Sequence, residues 1–128
     1  MPTLDDARAL LHTWTETDSL RRHAEAVSAS MGGMAREMDG DEGLWRVTGL
    51  LHDMDYEKHP TPEEHPFVGV KELERLGYPE EVRTAILGHA TYSGVPRETD
   101  MAKALFAVDE LSGFVVACAY VRPTKLEG

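Results

Sequence analysis

Apolar residues recur along the chain at intervals of three and four, and the strict alternation of a half-buried strand is hard to find. That pattern predicts an all-α fold of about six helices. Leu4, Ala7, Leu10 and Leu11 mark a short first helix with Thr3 placed to cap it, and the polar segment Thr15 to Ser19 breaks the pattern. A second helix, from about Asp18 to Met38, sets His23, Val27, Ser30 or Met31, Met34 and Met38 along one inward stripe, with Gly32-Gly33 as a soft spot in its middle. After Asp39-Gly40-Asp41, a third helix from about Glu42 carries Leu44, Val47, Leu50, Leu51 and Met54, with His52 and Asp53 near its end.

The segment Asp55 to Glu64 contains Pro60 and Pro62 and reads as a loop. His65 is expected to open a fourth helix carrying Val68, Val70, Leu73 and Leu76 and ended by Gly77. Pro79-Glu80-Glu81 starts a fifth helix that His89 closes. Following a loop from Thr91 to Glu98, Asp100 begins a last helix, apolar on most faces from Met101 to Val121, which predicts that it is the central buried one, with Asp109 in its middle. Pro123 to Gly128 reads as a polar end.

At 128 residues and 41% apolar content the chain is expected to form a single domain, 1–128, with no repeat or linker. Its net charge of −10 disfavours nucleic acid as a partner. The single cysteine, Cys118, excludes an intramolecular disulfide framework and a multi-cysteine zinc site, and fits a reducing compartment. Asp5 and Asp6 stand where a signal peptide would be positively charged, and the apolar stretch Phe114–Val121 is too short to span a bilayer. A cytoplasmic protein without membrane contact is the expectation.

His23 on an apolar stripe, the doublet His52-Asp53, His89 after Ile86-Leu87, and Asp109 within Leu105 to Leu111 are hard to explain by folding alone. Each has a bland reading by itself: a lone inward histidine is more often a hydrogen-bonded core residue, and Asp109 has Arg22 or Lys103 as conceivable partners. Taken together, imidazoles and carboxylates converging in an acidic protein call for a cation between them. A mixed His and Asp shell suits divalent iron, manganese, nickel, cobalt or zinc better than calcium.

The order His23, then Leu50-Leu51-His52-Asp53, then Asp109 in a late apolar helix resembles the HD-domain superfamily of metal-dependent phosphohydrolases, over most of the chain (about 19–121). The resemblance implies a helical bundle in which His23, His52, Asp53 and Asp109 hold one metal. His65-Pro66-Phe67-Val68-Gly69 and Ile86-Leu87-Gly88-His89 are similar to the "HPxxG" and "IxxH" segments of dinuclear relatives, which implies a second ion at His65 and His89 with Asp53 bridging. Gly77-Tyr78-Pro79 precedes His89, unlike the GYP signature of the cyclic-dinucleotide phosphodiesterases, so that activity is not assigned. The match is closer to the compact HDIG-type hydrolases, with Asp53-Met54-Asp55 in place of Asp-Ile-Gly.

By that resemblance, the expected activity is hydrolysis of a small phosphoester or nucleotide by a metal-activated water, with His52 and Asp53 at the catalytic centre and one or two divalent ions as cofactor. Arg22, Lys58 and Tyr92 are candidate substrate contacts, though a solvated surface charge explains the first two at least as well. Tyr56 and His59 lie in the same flanking loops, and Glu110 follows the last ligand. A di-iron oxygenase using the same six residues and a catalytically silent ligand-binding module are the competing readings. The expected partner is a small phosphorylated substrate, with a homodimer as a further expectation.

Overall fold

The computed structural model describes residues 3–121, with side chains as far as residue 111. Among these residues the fold is all helical: α1 (Leu4–Trp14), α2 (Asp18–Glu37), α3 (Glu42–Leu51), α4 (Phe67–Arg75), α5 (Glu80–His89) and α6 (Asp100–Val121), with a 3-10 turn at Thr91–Ser93. Pro123 to Gly128 and the side chains of Phe114–Val121, Cys118 included, lie outside the described residues. No helix among those described is long and apolar enough to cross a membrane.

Helix starts follow the local chemistry of the sequence. Thr3 accepts from the Asp6 amide at 3.1 Å while the Asp6 carboxylate accepts from the Thr3 amide at 3.0 Å, a reciprocal box that fills two free donors of α1. Asp41 does the same for α3 by accepting from the Leu44 amide. The start of α2 is held from a distance: the carboxylate of Glu57 accepts from the amides of Glu16 and Thr17, at 3.0 and 2.8 Å. Hydrogen bonds from the Thr17 hydroxyl and these amides hold the Glu57 carboxyl down at about 2.

Three expectations are corrected by the packing. Among the residues whose side chains are described, α3 and not α6 is the central helix: every α3 residue from Leu44 to Leu51 except Arg46 is buried, against α1, α2, α5 and α6. Lys103, Ala107, Glu110 and Leu111 form an outward face on α6, with Leu111 63% exposed. Two of these four residues count as apolar in the pattern although they face outward.

On α2 the inward stripe runs through Ala24, Val27, Ser28, Met31, Gly32 and Ala35, while Ser30 and Met38 are exposed and Met34 is only partly buried. Small residues define this face because α2 lies close against α3, and small residues carry little hydropathic signal. The Gly32-Gly33 pair leaves α2 unbroken, with the stem of Arg46 lying against Gly32. The third correction is that His65 stands ahead of α4, not at its first position; Pro66 occupies the N-cap, and turns closed by His65 on Thr61 and Val68 on Glu64 lead the chain in.

These elements place the residues after α3, the end of α5, the turn entering α4 and the middle of α6 around one depression, with the second turn of α2 close behind it.

Candidate metal centre

Six side chains converge here, of which Asp53, His65, His89 and Asp109 line the depression and His23 and His52 stand behind them. His23 comes from α2, His52 and Asp53 follow the end of α3, His65 precedes α4, His89 ends α5, and Asp109 comes from α6. Nε2 of His23 and Nε2 of His52 each lie 3.1 Å from Asp109 Oδ1. Asp53 Oδ2 lies 3.3 Å from His52 Nε2 and 3.7 Å from His23 Nε2. Its other oxygen, Oδ1, lies 3.2 Å from Nε2 of both His65 and His89. Donor atoms at metal bonds of about 2.1 Å are separated by about 3.0 Å in octahedral and about 3.4 Å in tetrahedral shells, the spacing seen here.

The imidazoles are aimed by their other nitrogen. His52 Nδ1 donates to the Gly49 carbonyl at 2.6 Å, and His89 Nδ1 donates to the Ile86 carbonyl. In both cases the acceptor is three residues earlier, where the end of a helix leaves carbonyls without an amide partner. A carbonyl only accepts, so the proton is on Nδ1 and a neutral ring offers the lone pair of Nε2 to the centre. His65 reaches the same state differently: its Nδ1 donates to Asp55 Oδ1 at 2.6 Å.

The electrostatics match a site that demands positive charge. Burial pushes His52 down, yet Asp53 and Asp109 outweigh it and hold the imidazole well above its usual value. His65 is likewise opposed by burial and raised to about 9 by its hydrogen bonds to Asp53 and Asp55. Burial would raise the two carboxyls of the centre, but His52, His65 and His89 hold Asp53 well below the carboxylate range, and His23 and His52 hold Asp109 below it. Protons on these imidazoles and a metal cation compete for the same negative potential.

The depression has a volume of about 400 Å³, and its wall includes Tyr56, Pro60, Pro62, Tyr92 and Glu110 beside Asp53, His65, His89 and Asp109. Tyr92 is half exposed, and its hydroxyl donates to the His65 carbonyl at 2.6 Å. Arg22 and Lys58 are placed elsewhere. Arg22 pairs with Asp18 at 2.7 Å on the surface of α2, and Lys58 lies 5.8 Å from the Trp14 ring centre and reaches towards the Thr13 carbonyl. His59 pairs with Glu64.

Asp55 is the residue that sequence reasoning passed over. It is 1% exposed, and besides accepting from His65 its Oδ2 accepts from the Gly69 amide at 2.8 Å. The available signal was a carboxylate two positions after the doublet, in a segment that closes over the core.

A family model for the HD domain matches residues 20–113. The chain belongs to the HD-domain family. No curated protein and no solved structure matches it. The matched span runs from just before His23 to just past Asp109 and so contains all six converging groups. HD domains bind divalent metals, and two groups in this one could hold such an ion: His23, His52, Asp53 and Asp109, and Asp53, His65 and His89.

Proposed function

We propose that this HD domain is a metal-dependent phosphohydrolase that holds two divalent ions and hydrolyses a small phosphoester. The observation that carries the reading is the division of Asp53, whose Oδ2 faces His23 and His52 while its Oδ1 faces His65 and His89. His23, His52, Asp53 and Asp109 would hold one ion, and His65 and His89 the other, with Asp53 shared. Iron, manganese, nickel, cobalt and zinc all suit these donors. Such ions, when bound, lower the pKa of a water and offset negative charge on a phosphoryl group.

The chain's own part is geometric. The Nδ1 hydrogen bonds of His52, His65 and His89 keep each Nε2 directed inward before anything binds, so little ordering accompanies binding. Leu51 and Met54, the chain neighbours of His52 and Asp53, are both about 1% exposed, so the doublet is anchored in the core. Tyr56 and Tyr92 stand at the mouth, where a substrate's organic portion would pass.

Two measurements on protein purified without chelator test this: ions per chain by elemental analysis, and phosphate release from a panel of phosphomonoesters and diesters. About two ions with phosphate release supports the reading. Two irons with dioxygen consumption and no phosphate release would replace it with a di-iron oxygenase, and a chain that retains no metal would replace it with a silent binding module.

A further inference from the structure

We infer that Asp55 is a positioning residue for the second ion, acting through His65; this rests on the two-ion reading above. The carboxylate of Asp55 is 2% exposed and spends both oxygens on different elements. Oδ1 accepts from His65 Nδ1 at 2.6 Å, and Oδ2 accepts from the Gly69 amide at 2.8 Å. Gly69 lies in the first turn of α4, whose N-cap, Pro66, has no side chain that accepts a hydrogen bond. Asp55 therefore supplies from outside the acceptor that this helix start lacks, and its charge sits at the positive end of the helix.

One carboxylate thus ties His65 to a helix terminus. His52 and His89 have a backbone carbonyl three residues earlier to fix their Nδ1. His65 precedes its helix, so its Nδ1 takes a side-chain acceptor in place of a helix-end carbonyl. Removing Asp55 leaves the ring free to rotate about its side-chain torsions and take Nε2 away from Asp53 Oδ1. Gly69 belongs to the same device: a Cβ at that position would stand 3.2 Å from Asp55 Cγ and Oδ2, a tight contact with a group held by two hydrogen bonds.

The test is a titration of the metal-stripped full chain with cobalt(II), followed by its visible absorption and by bound ions per chain, for the wild type, Asp55→Ala and Gly69→Ala. The wild type is expected to take up two ions. Asp55→Ala should weaken one of them by about 10- to 100-fold and leave the other within about threefold. Gly69→Ala removes no hydrogen-bonding group, and its better helix propensity offsets part of the tight contact, so its melting temperature should move by less than that of Asp55→Ala while the same ion is weakened.

A merely structural role would move both ions and the melting temperature together, and that result would overturn the inference. Two ions bound by both variants with unchanged affinity would also overturn it and leave the two-ion reading standing. A wild type that binds a single ion overturns the two-ion reading itself. Should Asp55→Ala fail to fold, Gly69→Ala decides alone.

Discussion

Asp109 Oδ1 stands 3.1 Å from Nε2 of His23, 86 positions earlier in the chain. The same oxygen lies 3.1 Å from His52 Nε2, so a single carboxylate joins α6 to α2 and to the end of α3. Asp109→Ala is expected to weaken one bound ion by at least about 100-fold, more than loss of an outer hydrogen bond does. His65 and His89 do not touch Asp109, so the second group keeps its donors. Elemental analysis after dialysis checks this: two ions retained by the variant would remove Asp109 from the centre.

Stability of the metal-stripped chain should fall as pH rises from neutral. His65 is raised to about 9 in the folded chain, against about 6.5 when unfolded, so its contribution is fully present below about 6.5 and lost as pH climbs through 9. His52 acts in the same direction. Asp53 and Asp109 are depressed, so theirs is present above about 4 and lost on acidification. The loss between about pH 6.5 and 9 is on the order of 2 kcal/mol, or roughly 6–10 °C in melting temperature.

Metal affinity runs the opposite way over the same window, because the imidazoles must shed protons to bind. Melting curves at about pH 6 and about pH 9, with and without a saturating divalent ion, measure both. A metal-free melting temperature that rises across this interval would contradict the assignment of His65.

Gly49 sits where α3 crosses α2. A Cβ there would stand 2.9 Å from Met31 Cγ and 3.1 Å from both the Ser28 Cα and the Val27 carbonyl oxygen. Two of those contacts are backbone, so Gly49→Ala forces the helices apart and should cost about 1–3 kcal/mol despite the better helix propensity of alanine. Its carbonyl also holds His52 Nδ1, so metal binding should weaken with stability. Equilibrium unfolding in urea gives the first number and cobalt titration the second; a variant as stable as the wild type would mean that the crossing is looser than described.

Arg97 ties the segment before α6 to the end of α5. Its Nη1 donates to the Gly88 carbonyl at 2.7 Å, and its guanidinium carbon lies 3.9 Å from the Phe106 ring centre. Gly88 adjoins His89, and Phe106 is on the helix that carries Asp109. Arg97→Ala should cost about 2–3 kcal/mol, summing a charged hydrogen bond and a stacked cation. Arg97→Lys should recover less than half of that, because an ammonium cannot do both at once. Urea unfolding of the two variants side by side is the check, and full recovery by lysine would show that charge alone matters.

Periodicity alone was enough to identify the helices. Thr3 and Asp41 set two of their starts by hydrogen bonds to amides three residues on, and Pro79 and Asp100 mark two others within a residue. His23, His52, Asp53, His89 and Asp109 stood out because imidazoles and carboxylates on apolar stripes need a reason to be there, and His65 through the similarity of His65-Pro66-Phe67-Val68-Gly69 to the HPxxG segment of dinuclear relatives. These are local properties, set by neighbours within one helical turn.

Tertiary structure decided the rest. That α3 is central depends on which faces neighbouring helices cover, and small residues such as Ala24, Ser28 and Gly49 carry that choice with almost no hydropathic signal. Arg22 and Lys58 do not line the depression; Arg22 pairs with Asp18 on the surface of α2 and Lys58 lies over Trp14. The part played by Asp55 was hidden for the same reason: its meaning lies in His65 and Gly69, 10 and 14 positions away. Residue type is written along the chain, whereas the direction of a lone pair or a charge is set by contacts between segments that the chain brings together only on folding.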